Sequence, residues 1–465
     1  MARYQCPMCG WAYDEEVEGQ PFSSLDSCRM CGSPASGFIR IEDDAETAET
    51  EEDTYEEGPL PVPADLRRVD PSIRHLSTIH ELAEHGRLPD AAMATTLPLP
   101  AWEDILVLGA QLDPMPLAED AEVDISCTIG PGAVRPLTIA GPVFVSHMSF
   151  GALSAEAKVA LARGASAVGT AMCSGEGGIL PAEREASTRY IFEIAPLRYS
   201  ATDENLRAAD AIEIKIGQGT KPGMGGHLPG GKVTEEIARI RGRMPGEDII
   251  SPSTFPGMDG VDGLRALVEE MRERSLGAPV GIKLAAGHIE RDLDVAHAAG
   301  ADFITIDGRG GATGASPAML RDASSIPTMY ALVRARRHLD ELGSKASLVV
   351  TGGLRVASDI VKALALGADA VALASASLMA LGCQQYRICG SGLCPLGIAT
   401  QDPELRGRRD WDAAAVRVEN FYRATFDDLR MFCRVTGHRS IGELSPDDLA
   451  SANADMAERL GISRA

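Results

Sequence analysis

The stretch LVVTGGLRVASDIVKALALGADAVAL, from Leu348 to Leu373, holds one complete structural repeat. Leu348–Thr351 is a short apolar run, Gly352-Gly353 a turn, Asp359–Leu366 an amphipathic helical stretch, and Ala370–Leu373 a second apolar run. The same rhythm recurs upstream. Apolar runs stand at Val143–Ser146, Ala167–Met172, Phe192–Tyr199, Ala211–Ile216, Val280–Leu284 and Phe303–Ile306, with helical stretches such as Glu156–Arg163 and Asp292–Ala299 between them. Eight such units predict an α/β fold closed as a (β/α)8 TIM barrel, with its active site at the carboxyl ends of the strands. The unusual loops fall at those ends: SFGALS from Ser149, CSGEGG from Cys173, GQGTKPG from Gly217, DGRGGATGASP from Asp307 and TGGLR from Thr351.

The chain has 465 residues, enough for a large core and more than one domain. Its net charge of −23 argues against nucleic acid or an anionic membrane as partner. The opening Met1–Cys6 has no apolar leader, and the longest mostly apolar run, Ala368–Leu381, is short and interrupted, so no membrane span is expected. Seven of the ten cysteines fall in two metal-like groups, which points to a reducing cytoplasmic setting rather than a disulfide framework.

Cys6-Pro7-Met8-Cys9-Gly10 and Cys28-Arg29-Met30-Cys31-Gly32 are two CxxCG knuckles, a pattern for one tetrahedral metal on four thiolates. Tyr4, Trp11, Tyr13, Phe22 and Phe38 supply aromatics for a core too small to form without a metal. Residues 42–57 are mostly acidic and read as a solvated linker. The second group, Cys383, Cys389 and Cys394, is a C-x5-C-x4-C pattern on a glycine-rich loop. Three thiolates leave a four-ligand zinc site one short and suit an iron–sulfur cluster, though spacing alone also allows buried structural cysteines.

These motifs, in order from about residue 70 to 450, resemble the flavin-binding synthase domain of glutamate synthase, and the loop around Cys383, Cys389 and Cys394 resembles its [3Fe-4S] segment. The first forty residues resemble rubredoxin, with a shorter segment between the knuckles and Arg29 where proline is usual, so iron or zinc is expected there. The resulting division is a metal domain over 1–40, a linker over 41–60, a helical lead-in over 61–120, the FMN barrel with its cluster loop over 121–400, and C-terminal helices over 401–465. Tyr422 and Phe426 share a helix face there, and Ser445-Pro446 opens the last helix.

Amide-rich turns at Gly311, Thr313, Gly314, Gly352 and Gly353, with Ser149 and Ser375, are expected to hold FMN. Lys283, inside an apolar strand, needs an anion: the N1–C2=O edge of reduced flavin, or Asp307. The resemblance implies reductive amination of 2-oxoglutarate to glutamate through 2-iminoglutarate, with Glu176, Gln218 and Lys221 catalytic and Arg241 joining them at the substrate. Glu176 is expected to handle ammonia and protons, and Arg241 to clamp a carboxylate. Met224 and His227 stand where the large bacterial enzymes have Glu and Gln, which opens N-methylglutamate formation from a primary amine as an alternative. Another is a non-catalytic electron-transfer subunit. No glutaminase nucleophile and no nicotinamide-binding GxGxxG motif is read, so ammonia comes from solution or a separate glutaminase subunit, and electrons from a ferredoxin or reductase subunit. The C-terminal helices are read as packing or oligomer contacts.

Overall fold

The computed structural model describes residues 3–6, 12–28, 34–41, 73, 75–86 and 94–465. The chain divides into two compact units: Met1–Ala91 with Pro317–Met319, and Ala92–Ser316 with Leu320–Ala465.

In the first unit, Arg3–Gln5 is the centre of a three-stranded antiparallel sheet between Ala12–Asp14 and Ile39–Ile41. Tyr4 stacks on Phe22 at 3.8 Å between ring centroids, and Tyr13 and Phe38 pack around the same ring. Cys6 and Cys28 are buried. Cys9 and Cys31 of the expected four-cysteine set, and the acidic linker, lie outside the described residues. Of the helical lead-in, Leu76–His85 is a helix, whereas Ile105–Val107 is a strand. Leu106 and Leu108 alternate with inward Ile105 and Val107, a period of two that the broad helical reading passed over.

The second unit is a closed barrel of eight parallel strands: β1 (Val143–Val145), β2 (Met172–Cys173), β3 (Tyr190–Ile194), β4 (Ala211–Lys215), β5 (Val280–Ala285), β6 (Phe303–Asp307), β7 (Ser347–Thr351) and β8 (Ala370–Leu373). Each pairs with the next, and β8 closes on β1. β2 is shorter than expected because the preceding helix runs Ala155–Ala167 and Gly169 turns at φ +71°. β3 ends at Ile194 rather than Tyr199, since Pro196 removes a ladder donor and residues 196–200 turn away.

The strands face both ways, and the two faces differ in chemistry. Ile212, Ile214, Val280, Ile282, Ile304, Ile306, Leu348 and Val350 join the outer core beneath the helices. The inward alternates at the closed end are apolar: Phe144, Ile191, Ala211, Phe303, Val349 and Ala370, plugged by the hairpin Cys127–Ile129/Leu137–Ile139. One layer nearer the carboxyl ends the inward alternates become Glu193, Glu213, Lys283 and Thr305, all buried. Barrel interiors are normally filled with branched apolar side chains, so this polar layer marks the functional end.

On the outside, the helix Trp411–Thr436 runs from its Asp410 cap to Gly437 and lies on Ala155–Ala167. A Cβ on Gly164 would come within 2.6 Å of Val418 Cβ, so the glycine sets how closely these helices approach. Tyr422 and Phe426 are both buried, and the Tyr422 hydroxyl meets Ser377 Oγ at 2.7 Å. Ser445 caps the 3-10 turn Pro446–Asp448; the last helix, Ala454–Leu460, is capped by Asn453 instead. Cys127, Cys173 and Cys433 are buried. No described helix is long and apolar enough to cross a membrane.

Candidate active site

The carboxyl ends of the strands open into a cavity of about 200 Å3 whose walls come from seven of the eight strand–loop units. It gathers Ser149, Glu176, Gln218, Lys221, Arg241, Lys283, Thr313, Gly314 and Ser375 of the expected residues. Cys389, of the loop with Cys383 and Cys394, reaches the same wall. Gly352 and Gly353 line a neighbouring cavity with Gly310, Arg355 and Trp102, and Gly311, which lines neither cavity, lies against Asp307.

Glu176 sits in the glycine turn after β2. Lys215, the last residue of β4, places Nζ 2.5 Å from Glu176 Oε2, and Ser251 Oγ donates to the other carboxylate oxygen. Burial alone would raise this carboxyl, but the Lys215 charge, the Lys215 hydrogen bond and that from Ser251 outweigh it and hold Glu176 below the ordinary glutamate range. Glu176 is therefore a carboxylate at neutral pH: it accepts protons and hydrogen bonds. The two-stranded flap His227-Leu228/Ile249-Ile250 brings Ser251 over it. His227 turns its Nε2 to Asp248 at 2.6 Å, and Asp248 also accepts from the Gly230 amide, so His227 fastens the flap.

Lys221 lines the same cavity at 2 % exposure and has no carboxylate in ion-pair range among the described residues. Burial and repulsion from Lys215 push its ammonium down to about 8, against the pull of Glu176. Arg241 lines the cavity, as expected of a substrate residue, and also braces the turns around it. Its Nη2 donates to the Phe150 carbonyl at 2.6 Å and, at 3.4 Å, to the Glu176 carbonyl, while the guanidinium lies over the Tyr199 ring at 5.3 Å. Nε is buried without a hydrogen-bond partner, and both backbone bonds come from Nη2. Arg241 holds the turns that carry Ser149 and Glu176.

Lys158 does the same from below. Fully buried, it donates to the carbonyls of Met148 (2.5 Å) and Ser174 (2.7 Å) and pairs with Glu183 at 3.0 Å. Lys232 Nζ donates to the Cys389 carbonyl at 3.1 Å and the Ala152 carbonyl at 3.3 Å, tying the cysteine loop to the cavity wall. The partner of Lys283 is Glu193 at 3.2 Å and not Asp307. Register explains this: Lys283 sits opposite Thr305 on β6, and Glu193 lies in the same inward layer two strands away.

Lys215, Glu193 and Glu213 escaped the sequence reading, although each is a charge inside an apolar strand, the signal that singled out Lys283. Ser251 and His147 had no comparable mark.

The turns after β6 and β7 interlock. Gly352 and Gly353 have φ of +115° and +93°, and a Cβ on Gly310 would lie 2.5 Å from the Gly352 carbonyl. Such turns bare backbone amides, as a phosphate requires. Among the described residues, a single group of three or more potential metal ligands has donor atoms within 4.8 Å of one another, and Cys383, Cys389 and Cys394 are not in it. Three thiolates spread more widely suit a multinuclear cluster rather than a single ion. Gln385 donates its amide N and Nε2 to Cys383 Sγ, each at 3.4 Å.

Comparison with known proteins places this arrangement. Solved structures resembling the chain include a mandelate oxidase variant with (S)-mandelic acid, at TM-score 0.50 and 18 % identity over 76 % of this chain and 90 % of that one, a likeness of fold. A glutamate synthase large subunit-like protein of Rhizobium meliloti (strain 1021) is 36 % identical over 403 residues, 82 % of this chain and 91 % of the relative. An archaeal-type glutamate synthase [NADPH] of Thermotoga maritima is 37 % identical over 399 residues, 80 % of this chain and 78 % of the relative. With the family model for the conserved region in glutamate synthase matching residues 78–439, the chain belongs to the glutamate synthase family.

Proposed function

We propose that the chain is an oxidoreductase that converts 2-oxoglutarate and ammonia to glutamate through 2-iminoglutarate, with FMN in the barrel mouth and a [3Fe-4S] cluster on Cys383, Cys389 and Cys394. The observation that carries this reading is the trio in one cavity: the carboxylate Glu176 fixed by Lys215 and Ser251, the cation Lys221 with no ion-pair partner among the described residues, and the buried cation Lys283 in the floor. Bound FMN would supply a hydride to the imine carbon, and the cluster single electrons.

The residues of the chain do the rest. Lys221 faces a substrate carboxylate, and Lys232, with one N–H left after its two carbonyl bonds, offers a second cation. Gln218 supplies a donor and an acceptor at the cavity wall. Glu176 orients ammonia and takes the proton it sheds on attacking the keto carbon. Carbonyl, ammonia, two electrons and two protons give glutamate and water. Ser149, Thr313, Gly314, Ser375 and the Gly311, Gly352 and Gly353 turns would hold the flavin, with Lys283 at its N1–C2=O edge. Cys6, Cys9, Cys28 and Cys31 would hold iron or zinc. Electrons would arrive from a ferredoxin or a reductase subunit, and ammonia from solution or a glutaminase subunit.

His227 favours one further comparison. It is committed to Asp248 and leaves the flap beside Glu176 without the glutamine of the large enzymes. Mass spectrometry after anaerobic turnover with 2-oxoglutarate and either 15N-ammonium or methylamine decides the amine. Labelled glutamate supports the proposal; N-methylglutamate as the only product overturns it.

A further inference from the structure

The polar layer under the cavity contains more charge than one cofactor-facing lysine explains. His147, two residues past β1, has a side chain 2 % exposed whose Nε2 lies against a carboxylate oxygen of Glu213, with a side chain 1 % exposed, and 4.0 Å from Glu193. Both carboxylates are spoken for elsewhere as acceptors. Thr305 Oγ1 donates to Glu213 at 2.5 Å, and Lys283 Nζ to Glu193 at 3.2 Å.

The neighbours of the imidazole accommodate a proton on each of its nitrogens. Thr351 Oγ1 donates to the Ala372 carbonyl at 2.8 Å and so meets Ser146 Oγ, 3.5 Å away, as an acceptor. With its own proton turned to Thr351, Ser146 accepts at 2.9 Å from a protonated His147 Nδ1, the arrangement an imidazolium requires. Nε2 faces Glu213 and Glu193, where a proton adds a cation to Lys283 and the more distant Lys215 against two buried carboxylates. The groups facing His147 from the packed strands are Cys173, Glu193, Glu213, Lys283 and Asp307. Burial and Lys283 oppose the imidazolium, while Cys173 and Glu213 favour it and push the ring up to about 10. The donor atoms of His147, Cys173, Glu193 and Glu213 lie within 4.8 Å of one another, but Lys283 and His147 already occupy the cationic places a metal would fill.

We propose that His147 is a permanent imidazolium that, together with Lys283, neutralises Glu193 and Glu213 beneath the cavity and thereby sets the potential at which bound flavin takes up electrons. His147 acts through Glu193 and Lys283 and is a positioning residue. With His147 charged, Lys283 is balanced by one carboxylate and remains available to an anionic ring edge. Without it, Glu193 and Glu213 are left to Lys283 and to Lys215, which is already paired with Glu176. The inference rests on the reading of the cavity as a flavin site.

The test uses the full chain with His147→Gln, Glu213→Gln and the double variant. Selective 15N-histidine NMR of the purified protein is expected to show one of the nine histidines doubly protonated at pH 8.5, absent in His147→Gln. Flavin titration is expected to give a midpoint potential lowered in His147→Gln by at least tenfold in the equilibrium, 29.6 mV for a two-electron couple. Glu213→Gln should raise the potential, and the double variant, with the charge balance restored, should return towards the parent. A neutral His147 at pH 8.5 overturns the inference, as do single variants that shift the potential in the same direction, the mark of a merely structural disturbance. A chain that takes up no flavin sinks the flavin reading and the claim about potential, while the NMR signal still decides the charge on His147.

Discussion

Lys221→Met is expected to make the protein more stable and less able to hold its substrate. The ammonium is 2 % exposed and unpaired among the described residues, and burial followed by Lys215 lowers its pKa from 10.5 to about 8. At about 1.36 kcal/mol per pKa unit this corresponds to ~3 kcal/mol, and allowing for screening by the solvent that still reaches the group leaves ~1–2 kcal/mol. The folded-state pKa lies below the unfolded one, so the cost is fully present below about pH 8 and fades as pH rises towards 10.5. Urea unfolding at pH 7 should therefore show the substrate-free variant more stable by ~1–2 kcal/mol. A hydrogen bond to a charged group contributes about 1.5–3 kcal/mol, so titration calorimetry should show 2-oxoglutarate binding weakened about 10- to 150-fold. For the parent, affinity should fall above about pH 8, where Lys221 loses its proton. A variant that is less stable than the parent and binds 2-oxoglutarate equally well would refute the assignment of Lys221 as a functional cation.

Other expectations follow from the same geometry. Arg241→Lys removes the guanidinium that spans the Phe150 and Glu176 carbonyls and the Tyr199 ring; a lysine lacks that planar fork, so kcat should fall about 10- to 100-fold with the far-ultraviolet spectrum unchanged. Cys394→Ala should abolish the cluster's electron paramagnetic resonance signal and slow electron delivery to the flavin, while iron content that stays at parent level would contradict the ligand assignment. Gly164→Ala crowds Val418 and the Ala415 carbonyl, with an expected cost of ~1–3 kcal/mol. Combining it with Val418→Ala should recover part of that loss, as thermal unfolding of the four chains of the cycle would show.

The barrel was legible because β4 to β8 are mainly apolar runs of four to six residues and, except after β8, glycine follows within two residues, while the loops after β1, β2, β4, β6 and β8 carry the residues that share the cavity. β2 was hard to place because an alanine-rich helix runs straight into it and only Met172 and Cys173 pair. In the site, Glu176, Gln218, Lys221 and Lys283 were visible as charged or polar groups in glycine-rich turns or apolar strands. The flap was not: Ser251 meets Glu176 only because His227-Leu228 pairs with Ile249-Ile250, two-residue strands that leave almost no periodic trace. Arg241 was recognisable as important, but not the bonds from its Nη2 to the Phe150 and Glu176 carbonyls, which join segments distant in sequence.

The most direct measurement is to photoreduce the purified protein without oxygen, add 2-oxoglutarate with ammonium, and follow flavin absorbance and glutamate together. The account predicts reoxidation with one glutamate formed per flavin, and no reoxidation when either substrate is left out. A flavin that stays reduced with both substrates present would contradict it.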